Sequence, residues 1–375
     1  MPPRIVFAAV VLAASPAFAE TQELDAGGIS VNAETIAGGL EHPWGLAFLP
    51  DGGVIVTERP GRIRLIADGA VSEPVAGVPD VAARGQGGLL DVAIAPDFAE
   101  TGTIFFTFSE PGKGGAGTAL ARASLVRQGD RPRLRNVDVI FRMARKTRTS
   151  HHFGSRIVVM PDGTLMVTTG DRGNDDRAQD MQDSAGAVIR INADGSIPAD
   201  NPSPDGSKQL PEIWSKGHRN VQGAAYDPLT RGLITVEHGS KGGDEVNRPE
   251  AGKNYGWPVI SYGVDYSGAK IGIGTEAPGY EQPLFYWDPS IAPSGLAVYE
   301  GAMFPEWKGD LLVGALKFQM LSRLDRDASG TIGKERRMFE GVFGRIRDVK
   351  IAPDGSIWLL TDEDDGQVIR ISRAR

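Results

Sequence analysis

A recurring unit of two β-rich runs joined by a tight turn is the sequence feature that most restricts the fold. The unit occurs six times, at Trp44–Val56, Leu89–Phe108, Arg156–Val167, Gly223–Val236, Gly295–Ala315 and Val349–Leu360. In the first, third and last units the turn reads Pro-Asp-Gly. Proline presets φ, aspartate accepts a hydrogen bond from the backbone ahead, and glycine takes positive φ, so this tripeptide predicts a hairpin.

Short β runs around repeated turns are typical of propeller blades. Six units predict an all-β, six-bladed β-propeller with four-stranded antiparallel blades, and no long segment has a sustained helical period. A strand at Ser30–Ile36 precedes the first unit and can pair with the final strand, Gln367–Ile371, to close the ring. The alternative is a pair of β-sandwiches.

The first nineteen residues have the pattern of a secretory signal peptide. Arg4 is followed by an apolar run, Ile5–Ala14, and then by Ala17-Phe-Ala19, a small-x-small cleavage site. The predicted mature protein is therefore residues 20–375, one catalytic domain in the periplasm or outside the cell, with no membrane insertion. The alternative is an uncleaved anchor helix. The chain has no cysteine, so stability cannot come from disulfides.

The formal net charge of −8 argues against a general nucleic-acid binder, but basic residues cluster at predicted blade entries. Arg345 and Arg347 flank one residue before the last inner strand, so both side chains point the same way. Arg219 and Lys317 occupy comparable places in other units. Converging at the axis, these groups would bind a planar polyanion. The alternative is surface charge paired with the many acids.

Two further loops carry candidate chemistry. His151 and His152 come directly before an inner strand, where a neutral imidazole can accept a proton near pH 7. The alternative is a loop hydrogen bond. The loop Glu237–Glu245 combines carboxylates with small residues and free carbonyls, which suits calcium, although it lacks the EF-hand spacing. The alternative there is a plain acidic loop.

Seven short motifs occur in order along nearly the whole predicted mature chain. They are His42-Pro-Trp-Gly, Gly85-Gln-Gly-Gly-Leu-Leu-Asp, His152 with Arg156, Gly170-Asp-Arg-Gly, Gly217-His-Arg-Asn-x-Gln-Gly with Asn254-Tyr-Gly-Trp-Pro, and Arg345-Ile-Arg-Asp. Together they resemble the soluble pyrroloquinoline-quinone (PQQ)-dependent glucose/aldose (sorbosone) dehydrogenases. The resemblance implies oxidation of an aldose at the anomeric carbon to a lactone, with hydride passing to PQQ and electrons to an external acceptor.

The resemblance also implies roles for individual residues. His152 falls at the position of the catalytic base. The cofactor-contacting positions are Gln86, Arg219, Asn220, Tyr266, Ala315, Lys317, Arg345 and Arg347. Gly239 and Ser240 match the pair whose carbonyls hold calcium under the quinone, and Glu245 and Tyr255 match a second, structural calcium.

Three departures bear on the substrate. His151 and Arg172 replace the Asp and Gln of glucose-type members, and no match is found for their aromatic pair over the sugar. The chain therefore resembles the broad aldose branch more closely, and its compact loops predict a monomer. Two other functions remain open from the residues: a calcium-dependent lactonase-type hydrolase, and a non-catalytic ligand-binding propeller.

Overall fold

The computed structural model describes residues 21–127 and 131–374, so the predicted signal peptide lies outside the described residues. The strands begin with β1 (Thr21–Asp25) and β2 (Ser30–Leu40). The next eight are β3 (Pro43–Phe48), β4 (Val54–Glu58), β5 (Arg62–Ala67), β6 (Ala70–Val71), β7 (Leu89–Ile94), β8 (Thr103–Gly112), β9 (Gly115–Val126) and β10 (Arg133–Arg142). Then come β11 (Ile157–Val159), β12 (Thr164–Thr168), β13 (Ala187–Asn192), β14 (Ile213–Lys216), β15 (Val221–Asp227), β16 (Gly232–Glu237), β17 (Asp244–Asn247) and β18 (Phe285–Trp287). The last seven are β19 (Pro293–Val298), β20 (Leu311–Ala315), β21 (Met320–Arg326), β22 (Ile332–Met338), β23 (Ile346–Ile351), β24 (Ile357–Thr361) and β25 (Gly366–Arg373).

Helix is confined to short turns in this part of the chain. There is one α-helical turn, α1 (Phe98–Thr101), and there are two 3₁₀ turns, Asp175–Gln179 and Pro305–Trp307. Within residues 21–127 and 131–374, no helix has the length and apolar character needed to cross a bilayer.

The strands form six antiparallel sheets, which are the six blades of a propeller. Blades 1 to 5 are β3–β6, β7–β10, β11–β14, β15–β18 and β19–β22, each with four strands in sequential order. Blade 6 has the order β23-β24-β25-β2-β1. The predicted six-bladed all-β fold is confirmed, and the β-sandwich alternative is wrong.

Pairing between the two ends of the chain closes the ring. Strand β2 pairs antiparallel with β25, with Val31 opposite Arg373 and Ala33 opposite Ile371. This is the closure predicted from the sequence. Strand β1 then adds a fifth strand to blade 6, which the sequence pattern did not predict.

The three Pro-Asp-Gly turns form in the way their residues dictate. The carboxylates of Asp51, Asp162 and Asp354 each accept a hydrogen bond from the backbone N–H two residues ahead, at 3.2, 2.9 and 2.9 Å. The glycines of these turns have φ of +82° to +88°. Each turn therefore sets its hairpin without help from distant parts of the chain.

Hydrophobic side chains pack between neighbouring blades. Ile55 and Ile63 of blade 1, for example, form one buried cluster with Val92 and Phe106 of blade 2. Burying such a side chain contributes about 1.5–3 kcal/mol. Since each blade shares its faces with two neighbours, the packing holds the inner strands in a ring around a central channel.

Arg156 ties the inner strands together across this channel. Its guanidinium contacts the carboxylates of Asp91 and Asp348, on blades 2 and 6, at 3.1 and 2.9 Å. It also donates to the carbonyls of Gln222 and Arg347, on blades 4 and 6, at 2.8 and 3.0 Å. Because this side chain starts on blade 3 and is 1% exposed, it connects four blades from inside the protein.

Candidate active site

A cavity of about 140 Å³ opens at the mouth of the central channel, and every blade contributes to its lining. The lining residues are Trp44, Arg59, Gln86, Leu90, Phe153, Gly154, Gln222, His238, Ala292, Leu316, Arg345, Arg347 and Asp362. A larger cavity of about 480 Å³ lies between blades 3 and 4, but it is lined by none of the residues predicted to form the site. We therefore take the channel mouth as the candidate site.

Cationic side chains dominate the channel-mouth cavity. Arg345 and Arg347 flank the start of β23, and Arg59 reaches the same cavity from the turn after β4. Asp362 is the carboxylate among the lining residues, and it pairs with Arg347. Burial acts to raise the pKa of Asp362, but the charge of Arg347 and its hydrogen bond hold that pKa well below its usual range. The cavity thus has three arginines against one ionised carboxylate.

Several buried N–H groups near the cavity have no hydrogen-bond partner among the described residues. They are Nε of Arg347, Nε of Arg219 and Nδ2 of Asn220. A buried donor left unsatisfied costs about 1–3 kcal/mol. Donors and positive charge of this kind fit a planar ligand rich in carboxylate and carbonyl oxygens, which is the chemistry of PQQ.

His152 lies beside this cavity and is held from two sides. Its backbone N–H donates to Gln86 Oε1 at 2.8 Å, and its Nδ1 lies 2.7 Å from Asp171 Oδ1. Asp171 also accepts from Trp257 Nε1 at 2.9 Å and from the Gly173 N–H at 2.7 Å. His152 itself has φ of +57°, an unusual value for a residue with a side chain. These contacts fix the orientation of the imidazole.

The electrostatic setting keeps this imidazole neutral and the carboxylate ionised. Burial lowers the pKa of His152 below its usual 6.5, and this outweighs the upward effect of Asp171. Burial acts to raise the pKa of Asp171, but its hydrogen bonds with His152 and with the Gly173 N–H bring that pKa below its usual value. With Nδ1–H donated to Asp171, the lone pair of His152 is on Nε2. The pair can therefore act as a general base.

A second, smaller hollow of about 20 Å³ adjoins the first, since His238 lines both. Its other lining residues are Gly217, Arg219, Glu237, Gly239, Gly243, Glu245, Tyr255, Trp257, Ile260 and Ser261. Asn247 Nδ2 donates to both Glu237 and Glu245, at 3.0 and 2.9 Å. Burial and then the charge of Glu237 raise the pKa of Glu245 to about 8. Glu237 is buried and Glu245 is partly buried, and two carboxylates in so small a space would be stabilised by a cation.

The oxygen donors at this hollow fit a calcium ion. In the described parts of the chain, no group of three or more His, Cys, Asp or Glu side chains could hold a metal, so backbone oxygens are needed as well. At Gly239 the carbonyl oxygens of Gly242 and Gly243 approach so closely that a Cβ would lie 2.1 and 2.3 Å from them. A hard cation takes carboxylate and carbonyl oxygens of this kind.

Arg219 also uses one of the oxygens predicted for the metal. Its Nη1 donates to the carbonyl of Gly239, and its guanidinium lies 5.1 Å from the ring centre of Trp257. Its backbone N–H donates to Glu237 at 2.7 Å. A metal at Gly239 therefore requires Arg219 to share or release that carbonyl.

The remaining predicted residues divide between the site and the surface. Asn220 Oδ1 accepts from the Gly154 N–H at 3.1 Å, and Ser240 is buried next to the small hollow. Ala315 ends β20 in the core, one residue before cavity-lining Leu316.

Lys317 and Tyr266 do not line either hollow. Lys317 is exposed, with its ammonium 5.3 Å from the ring centre of Phe318. Tyr266 is 71% exposed on the long β17–β18 connection. Neither side chain joins the cationic lining of the channel mouth.

Sequence reasoning missed several residues that the structure brings to the site. Four of them lie inside the motifs described above but were not themselves predicted to be site residues: Asp171, Trp44, Gln222 and Trp257. Asp362 and Arg59, however, carry no sequence signal of their own, because each lies among other charged residues after the second strand of a blade: Asp362 opens the acidic run Asp362–Asp365, and Arg59 follows Glu58. Only their place on the ring brings them to the axis.

Comparison with known proteins gives a consistent result. Residues 40–370 match the family described as glucose/sorbosone dehydrogenase. The chain is 42% identical to the aldose sugar dehydrogenase YliI of Escherichia coli over 92% of this chain and 93% of that protein. It is 29% identical to quinoprotein glucose dehydrogenase B of Acinetobacter calcoaceticus, over 89% and 87% of the two chains. The PQQ-bound structure of the aldose sugar dehydrogenase of Streptomyces coelicolor superposes with a TM-score of 0.75 at 28% identity, over 96% of this chain and all of that one.

Proposed function

The chain belongs to the glucose/sorbosone dehydrogenase family and is an oxidoreductase acting on sugars, and from this premise we propose that it oxidises aldoses at the anomeric carbon to lactones with PQQ as cofactor. The observation that carries the proposal is the His152–Asp171 hydrogen bond of 2.7 Å beside a cavity lined by arginines. A base and an anion-binding cavity side by side are the two parts that this reaction needs.

His152 would be the general base. With Nδ1 bonded to Asp171, Nε2 would accept the proton of the anomeric hydroxyl as the C1–H hydride leaves. The lowered pKa of His152 keeps Nε2 unprotonated at neutral pH. When bound, PQQ would supply an electrophilic carbon, C5, to accept the hydride, and calcium would polarise the quinone carbonyl. Proton and hydride then account for both hydrogens removed in forming the lactone.

The cofactor would be held by charge and by otherwise unsatisfied donors. Arg345 and Arg347 would bind its carboxylates. Arg219, at the small hollow, and the exposed Lys317 are the other cations proposed as contacts from the resemblance. The further contacts proposed from the resemblance are Gln86, Asn220, Tyr266 and Ala315. Binding there would satisfy the buried N–H groups that lack partners in the described protein.

Calcium would bind at the two places that the resemblance indicates. The carbonyls of Gly239 and Ser240 would hold the ion next to the cofactor. Glu245 and the Tyr255 carbonyl would hold a second, structural ion, at which Glu245 would be ionised. The support is the pair of Glu237, which is buried, and Glu245, which is partly buried, since the charge of Glu237 raises the pKa of Glu245.

We also propose the cellular setting. The mature protein would be residues 20–375, one catalytic domain, exported to the periplasm or beyond and acting as a monomer. An external acceptor would take the electrons, because the chain has no cysteine and so no Cys-x-x-Cys-His haem attachment motif.

A reconstitution assay tests the proposed function. PQQ and calcium are added to the apoprotein with several aldoses and an electron-accepting dye, and dye bleaching is measured, with and without chelator. Sugar-dependent bleaching that needs both PQQ and calcium is the expected result. Lactone hydrolysis without PQQ would favour the hydrolase instead. The absence of both dye bleaching and lactone hydrolysis would favour a non-catalytic propeller.

A further inference from the structure

Arg347, the most buried cation of the channel mouth, already forms an ion pair within the protein. Nη2 of Arg347 is hydrogen-bonded to Oδ2 of Asp362, and the two side chains are only 8% and 6% exposed. Nη1 of Arg347 donates to Gln222 Oε1 at 3.1 Å, while Nε has no partner among the described residues. Both terminal nitrogens of Arg347 are thus hydrogen-bonded, whereas its Nε is not.

Asp362 is the one carboxylate among the residues that line this cavity. The guanidinium of Arg345 lies 3.9 Å from the same Oδ2, and Arg59 adds a third positive charge that lowers the pKa of Asp362. An anion that enters the cavity therefore meets three arginines whose field is partly cancelled by Asp362.

The position of Asp362 is fixed from outside the cavity. It follows the end of β24, and its N–H donates to the Arg345 carbonyl at 2.7 Å. Oδ1 lies 2.9 Å from Nδ1 of His42, whose other ring nitrogen is 2.9 Å from Asp364. Both ring nitrogens of His42 face a carboxylate, Asp362 on one side and Asp364 on the other. Asp362 thus has no freedom to swing away when a ligand arrives.

We infer that Asp362 is a positioning residue that acts as a built-in counter-ion: it stabilises Arg347 in the empty site and, by competing for its charge, lowers the affinity for the anionic cofactor. The inference rests on the proposed function, since it takes PQQ as the anion. It assigns to Asp362 a role in setting affinity that is separate from the chemistry at His152.

Stability and affinity should move in opposite directions when this charge is removed. In Asp362→Asn the buried guanidinium of Arg347 loses its counter-ion, so the apoprotein should be less stable. A cofactor carboxylate then restores the missing charge, so the cofactor should bind more tightly. If Asp362 only maintained local structure, its substitution would lower both the stability of the apoprotein and its affinity for the cofactor.

The test compares Asp362→Asn with Asp364→Asn in the full chain. Asp364 makes the matched control, since it is on the same turn and carries the same charge but is 97% exposed and bonded to His42 rather than to Arg347. The Kd for PQQ is measured by spectroscopic titration in the presence of calcium, and the Tm is measured without PQQ. We expect at least a tenfold lower Kd and a lower Tm for Asp362→Asn, and a Kd within threefold of wild type for Asp364→Asn. An unchanged or higher Kd for Asp362→Asn would overturn the inference.

A second variant covers the case in which Asp362→Asn does not fold. Asp362→Ser removes the same charge with a smaller side chain and carries the same expectation and the same contrary result. His42→Gln adds a coupling test: it frees Asp362 to move off Arg347, so it should lower the Kd at least twofold in wild type and leave it unchanged in the charge-removed background. Equal effects in both backgrounds would contradict a role through Asp362.

Binding of PQQ by the wild-type protein separates the two proposals. If wild type itself does not bind PQQ, the proposed function fails and this inference with it. If wild type binds PQQ normally, a contrary result for Asp362→Asn counts against this inference alone.

Discussion

Asp171 accepts a hydrogen bond of 2.7 Å from Nδ1 of His152, nineteen residues before it in the chain. The carboxylate comes from the loop between β12 and β13, and the imidazole from the segment before β11, so a single blade brings them together. Trp257, from blade 4, bonds the second oxygen of Asp171 at 2.9 Å. The pair is therefore oriented by contacts within one blade and to the next.

Replacing the base should abolish most turnover. In His152→Gln the side chain cannot accept a proton, and we expect kcat to fall by a factor on the order of 10²–10⁴. The neighbouring histidine gives the control: His151 touches His152 edge to face at 4.7 Å between ring centres but lacks the Asp171 bond, so His151→Gln should stay within tenfold of wild type. Steady-state kinetics of the PQQ-loaded enzyme measure both, and a His152→Gln rate within tenfold of wild type would show that another group is the base.

The pH profile of kcat/KM should have an acid limb, and this limb should begin below pH 6.5. Protonated His152 cannot act as a base, and burial lowers its pKa, so kcat/KM should be flat near neutrality and fall as pH drops through the lowered pKa. Asp171 acts to raise that pKa, so Asp171→Asn should move the limb to still lower pH and reduce the plateau, by a factor on the order of 10²–10⁴.

Asp175 provides the control for this limb. Its pKa is raised to about 6 by burial and by the charge of Asp171, so it too titrates below pH 6.5. Asp175→Asn should leave the acid limb in place. Loss of the limb in that variant would assign the titration to Asp175 rather than to His152.

Removing the central guanidinium should destabilise the whole ring. Arg156→Met leaves the buried carboxylates of Asp91 and Asp348 without their partner, and we expect the free energy of unfolding to fall by about 3–5 kcal/mol. Arg370 is the surface counterpart, since it pairs with Asp354 at 2.7 Å but is 30% exposed, so Arg370→Met should cost about 0–1 kcal/mol. Urea denaturation of the two variants measures the difference, and equal losses would disprove a special role for Arg156.

Chelating calcium should lower thermal stability through the small hollow. Calcium at a hundredfold excess over its Kd would stabilise the fold by about 2.7 kcal/mol if it binds the native state alone. Glu245→Gln removes one of the two carboxylates of the hollow, so we expect it to abolish most of that increment. Glu250 is half-exposed and outside the hollow, so Glu250→Gln should retain the increment. Thermal melts with calcium and with chelator measure this, and an undiminished increment in Glu245→Gln would place the metal elsewhere.

The amino-acid sequence by itself determined the local structure and the fold class. Turn chemistry at Asp51, Asp162 and Asp354 needs only residues within two positions, and the alternation around such turns sets the strands. A ring closed by β2 and β25 also followed, because an unpaired strand at each end of the repeat array has one partner available. The motif order indicated the family for the same reason: each motif is continuous in the chain.

Only the tertiary structure decided which side chains meet at the axis. His42 and Asp362 are 320 residues apart and touch because the first and last blades are neighbours in a closed ring. Arg59 joins Arg345 and Arg347 in the same way, whereas Lys317, predicted from its place at a blade entry, and Tyr266, implied by the family resemblance, face solvent. The physical reason is that turn and strand formation depend on neighbours in sequence, while the field at the channel mouth sums charges from loops whose spacing is set by blade packing.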